Sequence, residues 1–66
     1  MDFTNAELIA MVESPVYWEL EYCEELCKRA GLKDEFDRNE KDDGSYSVTQ
    51  KAIQILTGDS SYKLPA

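Results

Sequence analysis

Cys23 and Cys27 carry the most reactive side-chain type in this sequence, and their spacing of four places both thiols on one face of a helix. A structural zinc site needs four ligands, and these two cysteines supply only half of them unless a symmetric dimer supplies the rest. A disulfide is disfavoured, because the Cβ atoms of i, i+4 residues lie about 6 Å apart whereas the bridge requires about 3.8 Å. We therefore predict two reduced thiols that serve as small buried side chains.

Other kinds of catalytic site lack their essential residues. The chain contains no histidine, so the usual general base near neutral pH is missing and a Ser–His or Cys–His nucleophile is excluded. Its three glycines are separated and form no phosphate-binding loop. Residues 39–50 approach a calcium-loop pattern, but Lys41 stands where an oxygen ligand is needed and Gln50 lacks the bidentate carboxylate. We predict no enzyme activity, no cofactor and no metal site.

The acidic residues are concentrated in one part of the chain. The formal net charge is −7, and residues 1–27 hold seven of the fourteen acidic residues but none of the seven basic ones. Direct nucleic-acid binding is disfavoured, because phosphate contacts require Lys and Arg. A protein with a basic surface is the natural electrostatic partner of such a segment.

Three local signals predict a first helix over residues 5–13. Thr4 is placed as the N-cap, Glu7 completes a capping box with it, and Phe3 is positioned for a hydrophobic staple with Leu8. Its apolar residues, predicted to face the core, are Leu8, Ile9, Val12 and, on the flank, Met11.

A second helix is predicted from Pro15 to Ala30, with Gly31 just beyond its end. Its apolar residues recur at spacings of four and three and form a heptad-like seam, predicted to be the core face: Val16, Leu20, Cys23, Cys27 and Ala30, with Leu26 beside them.

The opposite side of the second helix carries aromatic and acidic residues. Trp18 and Tyr22 are i, i+4 neighbours, and Glu21 and Glu25 lie beside them. In one interpretation, another part of the chain covers both rings. In the other, the rings stay exposed and bind a partner, because Trp and Tyr are enriched at binding hot spots. The candidate partner-binding residues are then Trp18, Tyr22, Glu19, Glu21, Glu24 and Glu25.

The carboxylates of this helix also have a purely structural explanation. Glu24–Lys28 and Glu25–Arg29 are i, i+4 pairs in the favourable orientation, and the two bases complement the helix dipole at its C-terminal end.

Residues 32–58 are predicted to form one or two further turns and a last helix. Leu32 and Phe36 are spaced to return to the core, and residues 39–45 are typical of an exposed loop. In the last helix Ser47 is the predicted N-cap, with Gln50 completing a capping box. Its predicted core side consists of Val48, Ala52, Ile55 and Leu56, and Gly58 follows its end. A strand over residues 46–57 remains the alternative, because several of these residues are β-branched.

Together these elements predict an all-α domain of three main helices, with a short extra helical turn between the second and third. Residues 1–58 form the single domain, and residues 59–66 are a mobile tail unless Tyr62 and Leu64 dock against it. No apolar stretch approaches the roughly 18 residues of a membrane span, and the N-terminus lacks the features of a signal peptide. We expect a cytoplasmic protein.

Recognition is the function that these features favour. We expect a small acidic protein-binding module that modulates or inhibits a partner with a basic surface. Its size and charge resemble those of small acidic inhibitors encoded by phages and mobile elements. The alternative is a structural module that self-associates through its heptad-like seam, as a homodimer or as part of an assembly.

Overall fold

The computed structural model describes residues 2–16, 19–40 and 44–65, and all regular structure in these ranges is helical. The helices are α1 (Asn5–Glu13), α2 (Leu20–Arg29), α3 (Lys33–Asn39) and α4 (Ser45–Thr57). Helix α2 contacts α1, α3 and α4. The predicted all-α class is confirmed, and the extra turn expected between the second and third main helices is α3, which has seven residues. None of the described helices combines the length and apolar character needed to cross a membrane.

Helix α1 has the predicted bounds and the predicted cap. Thr4 is the N-cap in an extended conformation. The Glu7 N–H donates to Thr4 Oγ1 at 3.1 Å, and the Thr4 N–H donates to Glu7 Oε1 at 2.8 Å. The hydrogen bond from the Thr4 backbone lowers the pKa of the Glu7 carboxyl. Both bonds satisfy N–H groups that a helix start otherwise leaves without partners.

Helix α2 begins at Leu20, so the predicted start at Pro15 is wrong. Glu19 precedes it in an extended conformation, and no side chain caps the helix there. The Val16 N–H instead donates to Ser14 Oγ at 3.2 Å, a local bond that competes with helical geometry. The C-terminal end is as predicted, with Gly31 in the left-handed region at φ +78°.

The buried part of the predicted seam is shorter than expected. Cys23, Leu26 and Cys27 are fully buried, whereas Val16 is 78% exposed and Leu20 is 36% exposed. The late start of α2 is the reason, because Val16 lies outside the helix and Leu20 stands at its first residue.

Residues 46–57 form a helix, so the strand alternative is wrong. The predicted cap is also wrong: α4 starts at Ser45 after Gly44, and no side-chain hydrogen bond caps it. The Val48 N–H already bonds to the Gly44 carbonyl at 3.1 Å, which places Ser47 inside the first turn. Gly58 ends the helix at φ +73°, as predicted.

The core side of α4 is rotated relative to the prediction. Val48 and Ala52 are buried and Leu56 packs against the core as expected, but Ile53 is fully buried while Ile55 is 52% exposed. Thr49 explains the rotation, because its hydroxyl donates to the Ser45 carbonyl at 2.7 Å and can therefore be buried without an unmet hydrogen bond. The buried core consists of Leu8, Val12, Cys23, Leu26, Cys27, Phe36, Val48, Ala52, Ile53 and Leu64.

Candidate recognition surface

The predicted partner-binding residues have different surroundings. Trp18 lies outside the described residues. Glu19 and Glu21 are exposed at the start of α2, whereas Tyr22 is half-buried and packs against the core. The sequence predicts the aromatic–acidic face on a helix that starts at Pro15, whereas α2 begins at Leu20.

Glu24 and Glu25 are engaged by basic side chains of the same molecule. Glu25 Oε2 accepts from Arg29 Nε at 2.8 Å, which is the predicted i, i+4 pair, and this bond lowers the pKa of the Glu25 carboxyl. Glu24 Oε2 lies 3.7 Å from Nζ of Lys33 at the start of α3 instead of pairing with Lys28. These pairs partly neutralise two of the four candidate glutamates.

The exposed acidic residues of the N-terminal segment have no such compensation. Asp2, Glu7, Glu19 and Glu21 are exposed and form no ion pair within the part of the chain that the structure describes. The carboxylate of Glu7 is occupied by the α1 cap. Glu19 and Glu21 are therefore the candidate carboxylates that remain available at the surface.

Tyr22 has an aromatic neighbour that the sequence did not reveal. The ring of Phe3 meets the ring of Tyr22 edge to face, with centroids 6.1 Å apart and an interplanar angle of 88°. Phe3 is 40% exposed, so one ring of the pair remains accessible to a partner. The predicted staple between Phe3 and Leu8 stays a prediction. The sequence signal for the contact between Phe3 and Tyr22 was the capping box, because it fixes the chain just after Phe3.

Cys23 and Cys27 are both buried, and they form no disulfide within the part of the chain that the structure describes. The sulfur of Cys27 approaches the Thr49 hydroxyl, and burial raises the pKa of its thiol to about 11. A thiol that stays protonated and hidden from solvent is a poor nucleophile. Among the described residues, no group of three or more His, Cys, Asp or Glu side chains is placed to hold a metal ion.

The C-terminal tail segment, residues 59–65, docks onto the helices. Leu64 is buried in the core and Tyr62 packs against it, so the condition for an ordered tail is met. The Leu64 N–H donates to Gln50 Oε1 at 2.9 Å, and Gln54 Nε2 donates to the Tyr62 carbonyl at 2.9 Å. The Tyr62 hydroxyl donates to Glu13 Oε2 at 2.6 Å, which ties the tail to the end of α1.

A third side chain of α4 also binds the tail main chain, since the Tyr46 hydroxyl donates to the Pro65 carbonyl. Tyr46, Gln50 and Gln54 are spaced by four and follow one face of α4. Sequence reasoning missed this set, although the spacing of polar residues with long side chains was a signal for it.

Comparisons of the chain with protein-family models, with curated proteins and with solved structures found no match.

Proposed function

We propose that the protein is a small acidic protein-binding module that modulates or inhibits a partner with a basic surface. The observation that carries the proposal is the placement of Glu19 and Glu21, which are exposed and form no ion pair within the described ranges. Exposed carboxylates without a basic neighbour leave their negative charge available to attract an oppositely charged partner.

In this proposal, Glu19 and Glu21 attract the partner and aromatic side chains provide contact area. Long-range attraction between opposite charges raises the association rate, and buried rings contribute most of the binding energy. Phe3 and Tyr22 supply the described aromatic pair, and Trp18 is the third candidate. Glu24 and Glu25 contribute less to the attraction, because basic residues of the same molecule already face them.

The finer form of the proposal is inhibition of a nucleic-acid-binding protein. A basic groove built for phosphates would accept an acidic surface in their place. The support is the size and charge of the chain, which are those of small inhibitors encoded by phages and mobile elements.

Two variants with equal net charge test the proposal. Glu19→Lys/Glu21→Lys reverses the acidic site, and Asp34→Lys/Glu40→Lys reverses two exposed acidic residues on and just after α3. Each variant is used to capture proteins from a lysate at about 50 and 300 mM salt, with quantitative mass spectrometry. We expect partners that high salt weakens, that the first variant loses and that the second retains. Equal loss from both variants would show that net charge alone governs capture and would refute the site.

A second candidate function is self-association, favoured by the exposure of Val16 and Leu20 at the end of the predicted seam. Sedimentation equilibrium of the wild type and of Val16→Ser/Leu20→Ser tests it. A dimer that this variant dissociates would support self-association, and a monomer at all concentrations would exclude it.

A further inference from the structure

The docked tail defines a binding site for a peptide main chain on α4. Gln54 binds the Tyr62 carbonyl, Gln50 binds the Leu64 N–H, and Tyr46 binds the Pro65 carbonyl. As the residue number falls along α4 it rises along the tail, so the two segments run antiparallel. We call these three side chains, with the core surface against which Leu64 packs, the tail groove.

The tail groove has the two features of a peptide-binding site. Its hydrogen bonds go to main-chain atoms, which any peptide offers, while side-chain pockets decide which peptide fits. Leu64 supplies an apolar anchor that is only 7% exposed. Tyr62, two residues earlier, adds a hydroxyl that donates to Glu13. The ligand class is thus a non-helical peptide with leucine two residues after tyrosine.

We propose that the tail groove accepts this peptide in trans, and that its occupant is the tail segment of a second copy of the chain. Every copy carries a segment whose fit is already demonstrated by its intramolecular docking. Only a short turn joins α4 to the tail, built by left-handed Gly58 and by Asp59, whose carboxylate accepts from the Ser61 N–H at 3.0 Å. Opening that turn frees the tail to reach another molecule, which is the geometry of segment exchange.

The molecule's own tail competes strongly with the tail of a second copy for the tail groove, because a short connection gives it an effective concentration in the millimolar range. The groove is consequently filled in a dilute monomer. Exchange is expected when the turn is opened or when the internal tail is weakened. This inference does not depend on Glu19 or Glu21, so it can fail while the proposed function stands, and the converse also holds.

A labelled peptide of residues 59–66 tests binding in trans. The full chain carrying Leu64→Asp should bind it at least about tenfold more tightly than the wild type, since its own tail no longer fills the groove. Adding Gln50→Leu and Gln54→Leu should abolish that gain, and a peptide carrying Leu64→Asp should not bind. Fluorescence anisotropy gives the affinities, and circular dichroism confirms that each variant is helical.

Two results would overturn the inference: equal peptide binding by the wild type and the Leu64→Asp chain, or no binding by a Leu64→Asp chain that keeps its helical structure. If Leu64→Asp loses its helical structure, the deletion described next decides the question, because it leaves Leu64 in place. Deletion of Ser60 and Ser61 provides a second arm. The shortened turn should force the tail onto another copy and produce a dimer, which adding Leu64→Asp should dissociate. A folded monomer from the deletion would contradict exchange between copies.

Discussion

The sulfur of Cys27 on α2 lies 3.8 Å from the hydroxyl oxygen of Thr49 on α4, and both side chains are fully buried. The Thr49 hydroxyl gives its hydrogen to the Ser45 carbonyl at 2.7 Å, so the thiol is the donor in the contact between the two. The contact therefore joins two helices inside the apolar core.

Alkaline pH should destabilise the protein through Cys27. Burial raises the pKa of this thiol from 9.0 to about 11, so between these values the folded state binds more protons than the unfolded state. The contribution of this thiol to the free energy of unfolding is complete below pH 9.0. It is lost as the pH rises toward 11, which lowers that free energy by up to roughly 2.5 kcal/mol. Urea denaturation across this range should show a shallower decline for Cys27→Ala than for the wild type. Burial also raises the pKa of Tyr62, but that residue is common to both proteins. Identical slopes would contradict the prediction.

Removing the cap of α1 should destabilise the protein. Thr4→Ala eliminates the acceptor for the Glu7 N–H and should lower the free energy of unfolding by about 1 kcal/mol. Ser47→Ala is the matched control, because Ser47 lies exposed within the first turn of α4 and should change stability by less than about 0.5 kcal/mol. Urea denaturation measures both. A larger effect at Ser47 would mean that this residue, and not Gly44, begins α4.

Ile53 and Ile55 should respond very differently to the same substitution. Ile53→Ala removes a fully buried side chain and should cost about 2–4 kcal/mol. Ile55→Ala truncates a side chain that is 52% exposed and should cost less than about 1 kcal/mol. Thermal or urea unfolding gives the comparison. Similar losses at both positions would show that the core side of α4 has been placed incorrectly.

The hydrogen bond between Tyr62 and Glu13 should couple the tail to α1. A double-mutant cycle with Tyr62→Phe and Glu13→Ala isolates the interaction, since each change removes one partner of the 2.6 Å bond. We expect a coupling free energy of about 0.5–1 kcal/mol, in the usual range for one hydrogen bond at the surface. Strictly additive effects of the two changes would show that the bond contributes no stability.

Short-range signals predicted the fold well where few residues decide the outcome. The α1 cap depends on Thr4 and Glu7 alone, and the ends of α2 and α4 depend on Gly31 and Gly58. The start of α2 is predicted too early because the hydrogen bond from the Val16 N–H to Ser14 Oγ competes with helical geometry. A residue pattern does not show whether a segment will form a helical turn or a local side-chain hydrogen bond of this kind.

Contacts between distant segments account for the other differences. Ile55 and Ile53 are equally apolar, and the packing of α4 against α2 and α3 decides which of them faces inward. The candidate site was predicted in part, since Glu25 pairs with Arg29 as expected. The partner of Glu24 was not, because Lys33 comes from the next helix and its approach depends on the turn between α2 and α3.

The way in which α4 binds the tail determines which positions of the tail sequence can be substituted. Three side chains of α4 hydrogen-bond to main-chain groups of the tail: Gln50, Gln54 and Tyr46. These main-chain groups are chemically identical for nearly every amino acid. Substitution should therefore be tolerated at Lys63 and Pro65, which are exposed, whereas Leu64 should require an aliphatic side chain because it is buried. The tail sequence can thus vary at the exposed positions Lys63 and Pro65 while its main chain is bound in the same way.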